Sequence, residues 1–138
     1  MSEDERHWDE RGFFFEVHRQ SHLDFAVRQV SHSMSFEGVI KAWHIHEKQS
    51  ELWYLVAGVI KAVVYYPDQK VLQENVMSPD QRCFQWVPPG VWHGYKVLQG
   101  PCHLIYLMDR EYDPTDEYRK PHDAVLPGYD WLKGAPIT

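Results

Sequence analysis

The fold of this chain is most constrained by a series of short apolar runs that are separated by residues favouring turns. Strand-length runs at even spacing, without a sustained helical period, are typical of a β-sandwich or barrel. The predicted strands span residues 13–17, 23–30, 39–46, 52–57, 59–66, 71–77, 83–87, 91–98 and 103–108. The fold class is therefore predicted to be all-β, and a hairpin is expected at Gly58.

The size of the chain indicates a single domain. A length of 138 residues lies within the usual range for one domain, and no low-complexity linker or internal repeat divides the sequence. Residues 1–12 are rich in charge and are predicted to form a polar N-terminal arm. Residues 113–138 lack a strand pattern, so we expect a mostly irregular C-terminal tail with at most one helical turn.

Charge and apolar content argue against several classes of partner. The chain has 14 lysines and arginines against 20 aspartates and glutamates, and its net charge of −6 disfavours nucleic-acid binding. No apolar run approaches the roughly 20 residues needed to span a membrane. The N-terminal residues lack the apolar core of a signal peptide, so a cytoplasmic location is expected. Cys83 and Cys102 are predicted to be buried, reduced thiols.

Three histidines and one glutamate form a candidate metal site. Residues two apart on a strand face the same side, so His44 and His46 are predicted to project together. Glu51 follows after a short polar connection, and His93 lies on a separate strand after a Pro-Pro-Gly segment. Three imidazoles and a carboxylate suit one divalent transition metal, such as iron, manganese, zinc or nickel.

The spacing of these residues resembles the two motifs of the cupin superfamily. Residues 38–58 match the first motif, with glycines at both ends and His-x-His and Glu between them. Residues 88–93 match the Pro-x-Gly-x-x-His core of the second, although Arg82 and Val97 replace its glycine and asparagine. The resemblance implies a double-stranded β-helix, or jelly-roll barrel. It also implies a homodimer, because such barrels often pair through strand edges or exposed sheet faces.

Three segments resemble one cupin branch, the dTDP-4-dehydrorhamnose 3,5-epimerases. They are Gly-Val-Ile-Lys-Ala-Trp-His at 38–44, Trp-Val-Pro-Pro-Gly-Val-Trp-His-Gly-Tyr at 86–95 and Tyr-Asp-Pro-Thr-Asp-Glu at 112–117. The resemblance implies a sugar or nucleotide-sugar substrate that loses a proton next to a ketone and regains one on the opposite face. By this resemblance, His44 is the base, Tyr112 is the acid, and Asp123 is the carboxylate that orients His44.

The pocket floor departs from that branch. Its members usually carry glutamine at the position of His46, and at Glu51 a lysine thought to stabilise the enolate. A glutamate cannot take that role unless a cation neutralises it. A metal-bound His44 also has no lone pair left to accept a proton. Two enzymes therefore remain possible: a metal-free epimerase, and a metal-dependent cupin isomerase or oxygenase. A non-catalytic sugar-binding cupin is the third hypothesis.

The remaining candidates are cations and aromatic side chains that suit a sugar nucleotide. Lys41 replaces the arginine of the branch, which keeps the charge but loses bidentate phosphate binding. Aromatic side chains commonly form the walls of small-molecule sites. The predicted substrate-binding residues are Lys41, Trp43, Trp53, Arg82, Trp92 and Tyr95.

Overall fold

A computed structural model describes residues 6–133 of the chain. The outer parts of the predicted arm and tail, residues 1–5 and 134–138, lie outside the described residues. Within the described range the chain is built from strands, with short 3-10 turns at Gln20–His22 and Pro114–Asp116. The strands are β1 (His7–Asp9), β2 (Gly12–Phe14), β3 (Gln29–Ser35), β4 (Ile40–Ile45), β5 (Glu51–Tyr66), β6 (Val71–Met77), β7 (Phe84–Val87), β8 (Trp92–Met108) and β9 (Tyr118–Arg119).

The two long strands, β5 and β8, form the centre of the fold. They pair antiparallel over almost their whole length, from Glu51 opposite Met108 to Tyr65 opposite Trp92. The first half of β5 pairs with β7 and the second half with β6. The first half of β8 pairs with β4 and the second half with β3. The long pair thus belongs to both walls of a barrel, and the prediction of an all-β jelly roll is confirmed.

Gly58 bends a continuous strand, so the prediction of a hairpin there is wrong. β5 runs through this position, and its pairing register with β8 shifts on both sides of it. The backbone of Gly58 has φ of +88°, and a Cβ there would lie 2.8 Å from Cys102 Cα and from the Gln99 carbonyl oxygen. Only glycine combines this conformation with so close an approach of a second strand.

Strand β3 lies later in the chain than the sequence predicts, for a physical reason. The apolar residues at 23–30 predict a strand, but β3 begins only at Gln29. Its inward face is polar, with serines at 31, 33 and 35, while Val30 and Met34 point outward and are 60% and 44% exposed. A strand with this reversed pattern does not show the usual apolar core face. The predicted strands at 91–98 and 103–108 likewise form one strand, because β8 continues through Gly100 and Pro101.

Two clusters of buried side chains stabilise the described residues. One fills the barrel between its walls and includes Leu55, Ile60 and Leu104. The other lies where the C-terminal tail covers the sheet, and it joins Trp43 and Val63 to Trp131. Residues 113–133 of the tail are therefore mostly irregular, as expected, but Trp131 packs against the barrel. Among residues 6–133, no helix has the length and apolar character needed to cross a membrane.

The described part of the N-terminal arm is not simply an extended polar segment. β1 pairs antiparallel with β2, with Trp8 opposite Phe13. The predicted strand at 13–17 is thus limited to the second strand of this small hairpin. Both cysteines are buried and form no disulfide, as predicted.

We expect Gly58→Ala to destabilise the fold by about 3 kcal/mol, because the added methyl group combines a disfavoured φ with backbone overlap. Gly90→Ala is the matched control, since Gly90 has φ of +79° but open space around the Cβ position. The control should lose about 1 kcal/mol. Urea unfolding of both variants measures the difference. Equal losses would show that the approach of β8 to Gly58 does not limit stability.

Candidate active site

A cavity of about 290 Å³ opens among β3, β4, β5, β8 and the start of the tail. Side chains from both walls of the barrel converge on it, although they are far apart in sequence. The cavity brings together most of the residues that the sequence indicated. These are Lys41, His44, His46, Glu51, Trp53, His93, Tyr95 and Tyr112.

Strand pairing positions the three histidines. His44 on β4 lies directly opposite His93 on β8, and their ring centroids are 6.0 Å apart. His46 follows the end of β4 and faces the same cavity, with its ring centroid 5.4 Å from that of His93. Trp43, which precedes His44, is fully buried on the other side of the sheet. The two-residue period of the strand therefore explains why His44 and His46 share the cavity.

The loop between His46 and Glu51 is held by a carboxylate from the tail. Asp116 is buried, and its two oxygens accept hydrogen bonds from the backbone N–H groups of Glu47, Lys48 and Gln49, at 2.9 to 3.2 Å. An ionised carboxylate that satisfies several backbone donors in this way fixes the path of the loop. Asp116 thereby fixes the path of the chain from His46, just after β4, to Glu51, where β5 begins.

At the floor of the cavity, His46, Glu51 and His93 form a compact group. Their ligand atoms all lie within 4.8 Å of one another, and Glu51 and His93 are buried. Nε2 of His93 lies 3.4 Å from Oε2 of Glu51. His44 is outside this group. The structure thus brings together three residues of the predicted four-residue metal set, while β4 directs His44 toward the tail.

Burial controls the ionisation of His93 and Glu51 on the floor of the cavity. Complete burial, together with the nearby His46 and His44, lowers the pKa of His93 to about 3. The His93 imidazole is therefore neutral at physiological pH, and its ring nitrogens are available as a lone-pair donor and an N–H donor. Burial also raises the pKa of Glu51, although the hydrogen bonds of that carboxylate oppose the shift.

At the tail side of the cavity, His44 and Tyr112 contact the same carboxylate. Oε1 of Glu117 lies 3.6 Å from Nδ1 of His44, and Oε2 accepts a hydrogen bond of 3.0 Å from the Tyr112 hydroxyl. Arg119 donates to Glu117 at 2.8 Å. Glu117 therefore links the residue predicted as base to the residue predicted as acid.

The electrostatics of this group follow from burial and from its charges. Burial and then the charge of Arg119 lower the pKa of His44, while Glu117 opposes this shift. Burial opposes ionisation of Glu117, but the hydrogen bonds from Arg119 and Tyr112 outweigh it and lower the pKa of that carboxyl. The hydrogen bond to Glu117 and the charge of that carboxylate raise the pKa of Tyr112. At neutral pH this leaves an imidazole with a free lone pair and a protonated phenol.

Asp123 does not occupy the position that the family resemblance implied. It lies on an exposed turn of the tail and does not line the cavity. The neighbouring His122 carbonyl accepts hydrogen bonds of 3.0 Å from the indole N–H groups of Trp43 and Trp131. These bonds fix the segment against the outer face of the sheet, so the carboxylate that contacts His44 comes from Glu117 instead.

Three predicted substrate-binding residues also lie away from the cavity. Trp43 belongs to the buried cluster under the tail. Trp92 packs against the same cluster, with the Lys120 ammonium 5.5 Å from its ring centroid. Arg82 is exposed and donates a 2.6 Å hydrogen bond to the side-chain oxygen of Asn75. All three predictions rest on residue type, which does not determine the direction of a side chain.

Sequence reasoning missed Glu117, Asp116 and the polar residues of β3. Glu117 ends the Tyr-x-Pro-x-x-Glu segment, so its position in the motif was the available signal. Gln29 and Ser31 line the cavity from β3, and the Gln29 side-chain oxygen accepts a 2.8 Å hydrogen bond from the Tyr112 backbone. No sequence pattern identified Asp116, because its partners are backbone groups nearly 70 residues away.

We expect Asp116→Asn to destabilise the protein by about 2 kcal/mol, because an amide offers only one acceptor oxygen to the three N–H groups. The matched control is Asp113→Asn, since Asp113 is exposed and accepts only local bonds from Thr115. The control should lose less than about 1 kcal/mol. Urea unfolding compares the two variants. A larger loss for the control would contradict the role given to Asp116.

Two of the curated proteins that are similar to this chain match it over most of its length. The spore coat polysaccharide biosynthesis protein SpsL of Bacillus subtilis is 39% identical over 135 residues, which cover 91% of this chain and 89% of that protein. A probable low-salt glycan biosynthesis epimerase of Haloferax volcanii is 30% identical and covers 89% of this chain and 86% of its own.

Solved structures of the same class share the fold. The dTDP-6-deoxy-D-glucose-3,5-epimerase of Legionella pneumophila, solved with dTDP-4-keto-L-rhamnose, has a TM-score of 0.83 at 23% identity, over 99% of this chain and 79% of its own. An epimerase of Mycobacterium tuberculosis has a TM-score of 0.78 at 26% identity, over 91% and 70%. These likenesses confirm the predicted cupin fold. The family described as dTDP-4-dehydrorhamnose 3,5-epimerase matches residues 1–137, and the chain belongs to that family.

Proposed function

We propose that this protein epimerises a dTDP-4-keto-6-deoxy sugar, or a closely related nucleotide sugar, by moving protons next to the ketone. The observation that carries the proposal is the shared carboxylate of Glu117, which places His44 and Tyr112 at one cavity. The family match and the names of the relatives support a sugar epimerase.

His44 is the base in this proposal. Glu117 faces Nδ1 of the imidazole, and a carboxylate there favours the tautomer with the proton on Nδ1. That tautomer leaves Nε2 with the lone pair that accepts a proton from the sugar carbon. The arrangement repeats the carboxylate–imidazole pair of catalytic triads, with Glu117 in place of the predicted Asp123.

Tyr112 is the acid. Its hydroxyl is held by Glu117, and its backbone N–H is held by Gln29 of β3. The side chain is exposed at the cavity, where it can meet the face of the sugar that points away from His44. Proton removal by one residue and proton delivery by the other invert the carbon between them. The phenolate then takes a proton from solvent, and the imidazolium of His44 releases to solvent the proton that it removed from the sugar.

The diphosphate of the proposed substrate is negatively charged, and the cavity offers few cations to bind it. Among the described residues that line this cavity, Lys41 is the only lysine or arginine. We assign Lys41 to the diphosphate, in keeping with its position at the arginine of the family motif. Trp53 and Tyr95 meet edge to face, with ring centroids 5.8 Å apart, and give the cavity a rigid wall for the sugar.

The same proposal includes a cytoplasmic homodimer. Nucleotide sugars are made and consumed inside the cell, which supports that location. On the outward face of β3 and just beyond it, Val30, Met34 and Phe36 are 60%, 44% and 68% exposed, with His32 between the first two. Exposed apolar residues on a sheet face are found at protein interfaces, and a second copy of the same face is the simplest partner.

Two variants test the division of roles between base and acid. In deuterated water with a dTDP-4-keto-6-deoxy sugar, His44→Gln should lower deuterium incorporation at least about 100-fold, because no base remains. Tyr112→Phe should slow epimerisation to a similar degree but retain exchange, since His44 can return deuterium to the face from which it took the proton. Mass spectrometry and NMR follow exchange and inversion separately. Exchange at the parent rate in His44→Gln would contradict the proposal, and substrate binding without exchange in the parent would favour the non-catalytic cupin.

The role of Glu117 can be tested by measuring the pKa of Tyr112. Because the Glu117 carboxylate raises the pKa of Tyr112, its phenol should titrate above pH 10, and Glu117→Gln should lower the midpoint. The kcat should fall about 10- to 100-fold with little change in KM, since Glu117 positions His44 and Tyr112. NMR of protein labelled at the tyrosine Cζ, assigned with Tyr112→Phe, measures the titration. Glu111→Gln, an exposed neighbour on the same segment, is the control. An unchanged Tyr112 midpoint in Glu117→Gln would contradict this role.

A further inference from the structure

We propose that Trp43 and Trp131 are positioning residues for the proton transfer. Both indole N–H groups donate to one backbone carbonyl, that of His122, and these two hydrogen bonds keep Glu117 beside His44. The catalytic consequence rests on the proposed function. The placement of Glu117 does not depend on that function, and it can be measured without substrate.

The indole pair, Trp43 and Trp131, is buried, and both of its N–H groups have an acceptor. The two residues are 0% and 3% exposed, and their ring centroids are 5.2 Å apart. Each indole nitrogen lies 3.0 Å from the carbonyl oxygen of His122, whose two lone pairs can accept both donors. A buried N–H group without an acceptor is costly, so movement of residue 122 away from either indole is unfavourable.

The two donors come from different parts of the fold. Trp43 lies on β4 of the barrel, and Trp131 lies near the end of the described tail. Trp131 also meets Tyr129 edge to face at 5.0 Å, and the Lys61 ammonium lies 5.4 Å from the Tyr129 ring centroid. These contacts fix the end of the tail on the outer face of the sheet, and the indole pair joins residue 122 to both.

The indole pair acts on Glu117 through a very short strand. β9 has two residues and pairs with the end of β4, where Arg119 lies opposite His44. Just beyond β9, the N–H of Lys120 donates to the Trp43 carbonyl at 3.1 Å, and its carbonyl accepts from the Trp43 N–H at 2.8 Å. An edge strand with so few backbone bonds opens easily unless its ends are held. The indole pair holds the chain two residues further on.

Glu117 depends on this support because its own contact with His44 is long. Its Oε1 lies 3.6 Å from Nδ1 of His44, whereas charge-assisted hydrogen bonds are normally about 2.7 to 2.9 Å long. The exposed Arg119 is closer, at 2.8 Å. The distance between carboxylate and imidazole is therefore set by the backbone of the tail. A misplacement of about 1 Å can lower a catalytic rate about 100-fold.

The position of Trp43 in the sequence suits this role. Successive side chains of a strand face opposite sides, so β4 directs His44 into the cavity and Trp43 under the tail. The base and a residue that positions its carboxylate partner are therefore neighbours in the chain. The sequence predicted that Trp43 binds substrate, and the structure assigns it an indirect role through the tail instead.

The test is Trp131→Phe, which keeps an aromatic ring in the cluster but removes one N–H donor. With a dTDP-4-keto-6-deoxy sugar, kcat should fall about 10-fold while KM changes less than about twofold, because the cavity wall is unchanged and only Glu117 is displaced. Without substrate, Tyr112 should titrate at a lower pH than in the parent, because the carboxylate that raises its pKa is less well held. NMR of protein labelled at the tyrosine Cζ measures this midpoint. Trp43→Phe, which removes the other donor, should give the same two changes.

The matched control is Val63→Ala. Val63 is fully buried in the same cluster, but its side chain has no group that can form a hydrogen bond. The control should lower the urea midpoint, because it removes packing, yet leave kcat and the Tyr112 midpoint as in the parent. Circular dichroism and urea unfolding confirm that the three variants fold.

In an active parent, an unchanged kcat or an unchanged Tyr112 midpoint in both tryptophan variants would overturn the proposal. Equal changes in Val63→Ala would also overturn it, because they would follow from packing alone. A parent that does not epimerise the sugar would refute the proposed function. In that case the Tyr112 midpoint alone decides whether the indole pair positions Glu117.

Discussion

The pairing of β5 with β8 is the interaction on which the site depends. Glu51 begins one of these strands, and His93 lies on the other, almost at its start. β4 then pairs with the same end of β8 and sets His44 opposite His93. Because the side chains of a strand alternate, a shift of one residue in either pairing would turn these groups out of the cavity. The bend at Gly58 lets the two long strands remain paired while their halves enter different walls.

The C-terminal tail supplies two carboxylates that complete the site on the barrel. Asp116 fixes the loop that leads into Glu51, and Glu117 reaches His44 from the same short segment. Further along, the buried Trp131 holds the tail against Trp43. An irregular segment can place a carboxylate accurately when both of its ends are held in this way, since little conformational freedom remains to it. The floor of the cavity thus belongs to the barrel, and the proton-transfer side belongs to the tail.

The sequence predicted those features that depend on strand period and motif spacing. His44 and His46 share a cavity because residues two apart on a strand share a face, and His93 meets them because the cupin spacing fixes the strands involved. It failed where the outcome depends on long-range packing. Gly58 serves a bend or a turn equally well, and only the approach of Cys102 decides between them. Asp123 and Glu117 are both tail carboxylates without periodicity, so their directions follow only from contacts that the folded tail makes.

In the proposed mechanism a sugar ketone lies between His44 and Tyr112, with Glu117 behind both. A crystal structure of the His44→Gln variant with a bound dTDP-4-keto-6-deoxy sugar tests this placement. We expect the sugar ring to lie between residue 44 and the Tyr112 hydroxyl, with each within about 4 Å of opposite faces of one carbon next to the ketone. A sugar bound with both side chains on the same face, or outside the cavity, would contradict it.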